Sequence, residues 1–213
     1  MEIIEGKMPF MGYETYYRIV GKRSKKPPLV LLHGGPGSSH NYFEVLDELA
    51  QKDGRRIIMY DQLGCGESSI PDDHPELYTK ETWVKELVAL REHLALRKMH
   101  LLGQSWGGML AIIYMCDYHP KGIQSLILSS TLSSASLWSK ELHRMIKYLP
   151  IEEQAAIHRA ELTSNFNDPD YLKANEHFMN QHAIDMTKTW PECVMRKKWR
   201  PSGLRKTTHP GNS

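Results

Sequence analysis

Short apolar runs recur along the first part of the chain, with polar segments between them. They occur at 29–33, 56–61, 99–103 and 125–130. Runs of this length and composition are typical of strands that are buried on both faces of a sheet. The segment 13–20 is rich in β-branched and aromatic residues and predicts a further strand. We expect it to pair with residues 2–10 through a turn at Met11 and Gly12.

Apolar residues at helical spacing lie between these runs. They predict helices over 39–50, 79–94 and 109–120. Thr79 is a candidate N-cap for the second helix, and Pro120 would close the third. Alternating buried strands and helices form βαβ units. The fold class is therefore α/β, a mostly parallel sheet with helices on both faces.

The pattern changes after residue 132. Residues 133–199 are amphipathic at helical spacing and contain no strand-like apolar run, so we expect a helical unit packed over a core of residues 1–132. Residues 200–213 have no periodicity and predict an unstructured basic tail. From Arg196 to Ser213 there are six Lys or Arg residues and no Asp or Glu. Nucleic-acid binding by this tail is an alternative, but charges without a predicted fold more often form a solvated end.

Composition favours a soluble globular protein. Hydrophobic residues make up 40% and charged residues 24%, and the net charge of +2 does not indicate a nucleic-acid or membrane-surface partner. No run approaches the ~18 apolar residues of a membrane span, and the N-terminus lacks the pattern of a signal peptide. We expect a cytoplasmic location, although loose association with the cell envelope is compatible with these features.

The cysteines indicate a reducing compartment. Cys65, Cys116 and Cys193 are odd in number, widely spaced and in no C-x-x-C pair. This pattern argues against a disulfide framework and against a structural zinc site.

A serine between glycines stands where the run at 99–103 meets the following helix. GQSWG at 103–107 matches G-x-S-x-G, the pattern of a tight strand-to-helix turn that lifts a nucleophile above a sheet. Gly103 and Gly107 would leave room for this turn, and Ser105 is the candidate nucleophile. The amide of Trp106, at the helix N-terminus, is a candidate donor to an oxyanion. The alternative is a serine that only caps the helix.

A second glycine-rich loop, HGGPG at 33–37, directly follows the apolar residues LVLL at 29–32. Its glycines would let the backbone approach a ligand closely, and Pro36 would stiffen the loop. The amide of Gly35 is the candidate second oxyanion donor, with His33, Gly34 and Gly37 shaping the loop. A phosphate-binding loop is the alternative, but GK[ST] is missing and the G-x-G-x-x-G spacing is not met.

The third loop, DQLGCGES at 61–68, also follows a predicted strand, so all three loops should meet at one rim of the sheet. Asp61 could be catalytic, but a role in holding local amides is favoured, because the partners of the nucleophile should come later in the chain. Cys65 could be a thiol nucleophile. No histidine or basic residue adjoins it, which favours a small loop residue.

HGGPG, DQLGCGES and GQSWGG, in this order and spacing, resemble the proline iminopeptidase family of serine peptidases, relatives of the tricorn-interacting aminopeptidase. The resemblance runs from about residue 8 to about residue 195. It implies an α/β-hydrolase fold with a helical cap, Ser105 as nucleophile, and the amides of Gly35 and Trp106 as oxyanion donors. It also implies release of proline from the N-terminus of short peptides, without a metal or cofactor. An esterase or amidase for small acyl compounds is a second hypothesis.

The acid and the histidine of a catalytic triad are not identifiable in this chain. In the family the acid follows a late strand and the histidine lies near the C-terminus, but no apolar strand follows Ser130. His209 is in roughly the right order and stands in the tail. The other later acids and histidines fall on predicted helices or turns, which favours solvated or packed roles: Asp117, Asp168, Asp170, Asp185, His119, His143, His158, His177 and His182.

We therefore expect a C-terminally truncated member of the family, whose last third has been lost or replaced, for example by a frameshift. Finding the missing strands in another reading frame of the 3′ end of the gene would support this interpretation. A catalytically impaired remnant is the third hypothesis for function. The pattern does not predict the oligomeric state.

Overall fold

The computed structural model describes residues 1–183 and 188–196, which form two compact units. The first unit contains Met1–Ser133 and the described residues from Pro191 onward, and the second contains Ser134–Trp190. The predictions for the tail at 200–213, for His209 and for Asp185 concern residues outside the described ranges.

The first unit is built on a sheet that has six strands in the described part of the chain. They are β1 (Ile3–Phe10), β2 (Tyr13–Val20), β3 (Leu29–Leu32), β4 (Ile57–Tyr60), β5 (Met99–Gln104) and β6 (Ile123–Ser129). Their spatial order is β1-β2-β4-β3-β5-β6. Strand β2 pairs antiparallel with β1 and β4, whereas β4, β3, β5 and β6 run parallel. The predicted α/β class with a mostly parallel sheet is confirmed.

The hairpin between β1 and β2 is the turn predicted from the sequence. Phe10 pairs with Tyr13, so the loop has the two residues Met11 and Gly12. Both have positive φ, 49° and 81°, as a type I′ turn requires.

The helices of the first unit lie between the parallel strands. They are a 3₁₀ helix (His40–Leu46), α1 (Asp47–Asp53), a short 3₁₀ turn (Pro75–Leu77), α2 (Lys80–His93) and α3 (Trp106–Tyr118). Thr79 caps α2 as predicted, because its hydroxyl accepts a hydrogen bond from the Thr82 amide at 3.2 Å.

Two predicted helix boundaries were wrong. The helix predicted over 39–50 begins as a 3₁₀ helix and extends to Asp53, where Gly54 ends it in a left-handed conformation with φ of 64°. The helix predicted over 109–120 ends at Tyr118, because His119 adopts a left-handed conformation with φ of 44°, and it begins at Trp106, where the sequence placed its N-terminal amide. The first and last residues of a helix depend on the backbone geometry at its ends, which the spacing of apolar residues does not predict.

The helices cover both faces of the sheet. Alternation along β3 shows the division, since Val30 and Leu32 pack with residues of α2 and α3, whereas Leu31 packs with Phe43 and Ala50 on the other face. Burial of a large aliphatic side chain contributes about 1.5–3 kcal/mol. This two-sided burial explains why the parallel strands are apolar throughout.

The second unit consists of three helices in the described residues: α4 (Ala135–Ile146), α5 (Ile151–Thr163) and α6 (Pro169–His182). Its core contains Leu149, Ala156, Ile157, Ala174 and Phe178. The helical prediction for this part of the chain agrees with the structure, and no helix among the described residues is long and apolar enough to cross a membrane.

The end of the predicted helical region, 133–199, has to be corrected. The division lies at Trp190, because α7 (Glu192–Met195) belongs to the first unit and packs against its 3₁₀ helix. An ion pair strengthens this packing, with Arg196 Nη1 2.8 Å from Glu44 Oε1. An amphipathic pattern predicts that one face of a helix is buried, but it does not predict which unit covers that face.

Candidate active site

Ser105 lies at the junction of β5 and α3 in a conformation that L-residues rarely adopt. Its φ is 53° and its ψ is −120°. The surrounding structure holds this backbone: the Ser105 N–H donates to the Ser129 carbonyl at 2.9 Å, and the Thr131 hydroxyl donates to the Ser105 carbonyl at 2.7 Å. Strain of this kind persists only where neighbours enforce it and is concentrated at functional sites.

The glycines around Ser105 are required by close backbone packing. A Cβ on Gly103 would lie 2.3 Å from the Gly107 carbonyl oxygen, and one on Gly107 would lie 2.0 Å from the Leu32 carbonyl oxygen. Neither position has room for a side chain. The G-x-S-x-G pattern therefore follows from the approach of α3 to β3 and β5.

The HGGPG loop lies against Ser105. A Cβ on Gly34 would be 2.5 Å from Gln104 Oε1 and 3.1 Å from the Ser105 Cβ, so a larger residue would force the loop or the turn to shift. Gly35 and Gly37 have φ of 118° and 95°, in the region that favours glycine, and the peptide bond between Gly35 and Pro36 is cis. The structure thus brings together the two loops that the sequence predicted at one rim.

His33 is fully buried and its ring shapes the loop. Its Nε2 accepts a hydrogen bond from the Gln62 amide at 3.0 Å, so Nδ1 carries the proton and donates to the Gly34 carbonyl at 2.9 Å. A neutral ring with both nitrogens engaged is a structural group and not a base for Ser105.

Two backbone N–H groups in the loops around Ser105 remain the candidates for binding an oxyanion. The Gly34 N–H is occupied, because it donates to the Tyr42 hydroxyl at 2.7 Å. Among the described residues, no hydrogen-bond partner is found for the backbone N–H of Gly35 or of Trp106. Trp106 is the first residue of α3, where N–H groups lack intrahelical partners and the helix dipole favours negative charge.

Two side chains that the sequence analysis did not identify join these loops. Tyr42 donates its hydroxyl hydrogen to Gln104 Oε1 at 2.9 Å. Gln62 donates from Nε2 to the His33 carbonyl and accepts from Trp106 Nε1, each at 3.0 Å. Tyr42 lies in the segment 39–50, for which the sequence predicts only a helix. The available signal for Gln62 was its place directly after Asp61 in the third loop.

Asp61 holds the rim together, as predicted. Its Oδ1 accepts from the His40 amide at 2.7 Å and lies 2.9 Å from His40 Nδ1, and its Oδ2 accepts from the Glu67 amide at 2.8 Å. Burial acts to raise the pKa of Asp61, but the hydrogen bond and charge of His40 outweigh it, and the pKa lies below its ordinary value. Asp61 is therefore an ionised anchor for two loops.

Cys65 is buried within the third loop, and its interpretation as a small loop residue is confirmed. The Cys65 N–H donates to the Gln62 carbonyl at 2.8 Å, which closes a turn in this loop. A buried thiol in such a turn is not accessible to a substrate.

No base for Ser105 is found in the described part of the chain, where the Ser105 hydroxyl has no hydrogen-bond partner. Three of the later acids and histidines make contacts of a structural kind. Asp168 caps α6 through the amides of Asp170 and Tyr171, and His177 lies 2.7 Å from Glu153. His143 contacts Glu161 at 3.1 Å. That the later acids and histidines are not the triad partners stays a prediction.

Comparison with known proteins gives the family. A family model described as alpha/beta hydrolase fold matches residues 27–188. A proline iminopeptidase of Lactobacillus helveticus is 98% identical over 198 residues, which cover 93% of this chain and 67% of that protein. The chain belongs to the proline iminopeptidase family. The resemblance inferred from the three loops is confirmed.

Solved structures agree with this assignment to the proline iminopeptidase family. The crystal structure of the proline iminopeptidase from Mycobacterium smegmatis is 35% identical, with a TM-score of 0.78, and the crystal structure of VinJ is 33% identical, with a TM-score of 0.81. Each comparison covers 90% of this chain and 65% of the other chain. The chain thus spans about two thirds of the length of the relatives that it matches.

Proposed function

We propose that this protein is a serine exopeptidase that releases proline from the N-terminus of short peptides. The observation that carries this proposal is the site around Ser105 in a chain that is 98% identical to a protein named proline iminopeptidase. The strained serine and the two free N–H groups are the parts that acyl transfer requires at the reacting carbonyl.

The proposed reaction proceeds in two steps. Ser105 Oγ gives its proton to a general base and attacks the carbonyl carbon of the N-terminal proline. The N–H groups of Gly35 and Trp106 donate to the oxyanion, and the peptide bond breaks as the leaving amine takes up the proton. Water then attacks the prolyl ester on Ser105, which releases free proline and regenerates the serine.

The base and its orienting acid are needed for full activity. Loss of a triad histidine lowers turnover by about 10⁶-fold and leaves about 10³- to 10⁴-fold over water, from the oxyanion hole and binding. We infer that in the longer relatives these two groups lie outside the part that this chain matches, in keeping with the family pattern. The part of the relatives that this chain matches then supplies the nucleophile and the two oxyanion donors.

Hydrolysis of proline p-nitroanilide by the purified 213-residue chain tests the proposal, with Ser105→Ala as the matched control. We expect the unmodified chain to exceed the variant by ~10³-fold or more if a base is available, because the variant lacks the nucleophile. Equal rates in folded protein would contradict the proposed activity for this chain.

A parallel assay with a short-chain aryl ester distinguishes the remaining hypotheses. Turnover of the ester without turnover of the proline anilide would favour an esterase. A fluorophosphonate probe that fails to label Ser105, together with no turnover of either compound, would favour a non-catalytic remnant.

A further inference from the structure

We propose that Tyr42 and Gln62 are positioning residues that set the spacing between the HGGPG loop and the turn at Ser105. Each forms a side-chain bridge between the two loops, and each bridge ends beside one of the free N–H groups. The catalytic part of this inference rests on the proposed function. The two bridges themselves can be measured without turnover.

The Tyr42 bridge consists of one hydroxyl group that hydrogen-bonds to both loops. The hydroxyl oxygen accepts from the Gly34 N–H at 2.7 Å, and its hydrogen is donated to Gln104 Oε1 at 2.9 Å. Gly34 directly precedes Gly35, and Gln104 directly precedes Ser105. Burial is the main cause that raises the pKa of Tyr42, so the phenol stays protonated and keeps its donor role.

The Gln62 bridge uses both ends of a fully buried amide. Its Nε2 donates to the His33 carbonyl at 3.0 Å, and its Oε1 accepts from Trp106 Nε1 at 3.0 Å. A carbonyl can only accept and an indole N–H can only donate, so these partners determine the orientation of the amide. The Trp106 ring is further held by an edge-on contact with Trp83, at 5.3 Å between centroids.

The bridges act where the sheet no longer aligns the two segments. Leu32 and Gly103 form the last pair between β3 and β5; β3 ends at Leu32, and β5 ends one residue later, at Gln104. Beyond that pair, Tyr42 and Gln62 connect the two loops on two sides of Ser105. Both loops are rich in glycine and have little intrinsic preference for one conformation.

The spacing of the two loops bears directly on catalysis. Oxyanion donors must lie about 2.7–3.1 Å from the oxyanion, and loss of one donor costs about 10²- to 10³-fold in kcat. Displacing a donor from this position should lower kcat less than removing the donor does. We therefore expect loss of either bridge to lower kcat by ~10- to 100-fold, with little change in KM.

The variants Tyr42→Phe and Gln62→Leu test the inference. Each removes the hydrogen-bonding atoms and keeps most of the side-chain volume. Tyr114→Phe and Gln154→Leu are the matched controls. Tyr114 loses a contact with Arg91, and Gln154 loses one with the Leu149 carbonyl, both away from the two loops.

Hydrogen exchange measured by NMR gives the decisive readout. Gln62→Leu should speed exchange of the Gly34 N–H, which Gln62 does not contact. Tyr42→Phe should speed exchange of the Trp106 indole N–H, which Tyr42 does not contact. Such reciprocal effects require that the bridges hold the two loops as one body, whereas a purely local packing role would leave the remote hydrogen unaffected. The controls should change neither rate.

Three results would overturn the inference: unchanged remote exchange in both variants, faster exchange with unchanged kcat, or a rise in KM alone. The proposed function can fail separately. If the unmodified chain neither hydrolyses the proline anilide nor reacts with a fluorophosphonate, the exchange rates still decide whether Tyr42 and Gln62 hold the loops together.

Discussion

At the scale of single residues, the site depends on positions where no side chain fits. The Ser105 backbone stores strain of about 1–3 kcal/mol, which its hydrogen bonds to Ser129 and Thr131 offset. Gly107 makes this possible, because it allows α3 to begin against the Leu32 carbonyl. The lack of side chains at the neighbouring glycines therefore allows the backbone turn that holds Ser105, the candidate nucleophile, between β5 and α3.

Gly107→Ala should therefore destabilise the protein strongly. The new Cβ would lie 2.0 Å from the Leu32 carbonyl oxygen, and backbone on both sides would have to move. We expect a loss of about 3 kcal/mol or more in the free energy of unfolding, measured by urea denaturation. Gly54→Ala is the control, since Gly54 has φ of 64° and no atom within 4 Å, so only about 1 kcal/mol of backbone strain is expected. Equal losses of unfolding free energy in the two variants would contradict the close packing of Gly107 against Leu32.

At the scale of elements, helix α2 holds the third loop (61–68) through hydrogen bonds of two buried side chains. Glu86 is fully buried on this helix, and its Oε1 accepts from the Leu63 amide at 2.9 Å and from the Thr15 hydroxyl. Trp83 Nε1 donates to the Leu63 carbonyl at 3.1 Å. Because Gln62 is the neighbour of Leu63, α2 also supports the bridge to Trp106.

Glu86 should make stability fall as pH rises. Burial is the main cause that raises its pKa to about 8, against hydrogen bonds from Thr15 and Leu63 that lower it and the charge of Asp61 that raises it. The unfolded chain loses the proton near the ordinary pKa of 4.5, and the folded chain loses it only near 8. The contribution of Glu86 is therefore complete below about pH 4.5 and declines by up to ~1.4 kcal/mol per pH unit until about pH 8.

Glu86→Gln tests this prediction, because it removes the titration and keeps the shape of the side chain. Urea denaturation at about pH 5 and about pH 8 should show a smaller difference in unfolding free energy than in the unmodified protein. Glu48→Gln, at an exposed residue of α1 paired with Lys52, is the control and should leave the difference unchanged. A variant with the same difference as the unmodified protein would exclude Glu86 as its source.

At the scale of the whole molecule, β6 presents an open edge. In the described residues it pairs only with β5, and Ile127 and Leu128, on opposite faces, are 44% and 45% exposed. Such an apolar run is typical of a strand covered on both faces. An unpaired apolar edge is a template for pairing with another chain, so we expect the protein to self-associate through β6.

Leu128→Lys should weaken this self-association, because a charged lysine blocks pairing of one strand edge with another. Sedimentation velocity over a range of concentrations should give an association constant that is lower by about tenfold or more, equivalent to ~1.4 kcal/mol. Leu162→Lys is the matched control. Leu162 is 74% exposed, but it lies on helix α5, which cannot pair with another chain as a strand edge does. If both variants reduce association equally, general surface charge and not β6 is responsible.

Apolar periodicity and glycine pattern were sufficient to predict the order of the elements, the two-sided burial of the parallel strands and the place of Ser105, whereas the family was inferred from the resemblance of the three loop motifs. These features are local. A run of a few apolar residues predicts the burial of that same segment, and a glycine indicates a position where the backbone is closely packed or has positive φ. The helix boundaries and the end of the second unit were less well predicted. They depend on what each segment packs against.

Only the tertiary structure identified Tyr42, Gln62 and Glu86 as supports of the site. Their partners are distant in sequence, with separations of 62 residues from Tyr42 to Gln104, 44 from Gln62 to Trp106 and 71 from Glu86 to Thr15. A hydrogen bond needs two groups within about 3 Å at a suitable angle, and nothing local marks which distant group will arrive there. The sequence by itself therefore determined the candidate nucleophile and the loops around it, and the folded chain determined which distant residues contact those loops.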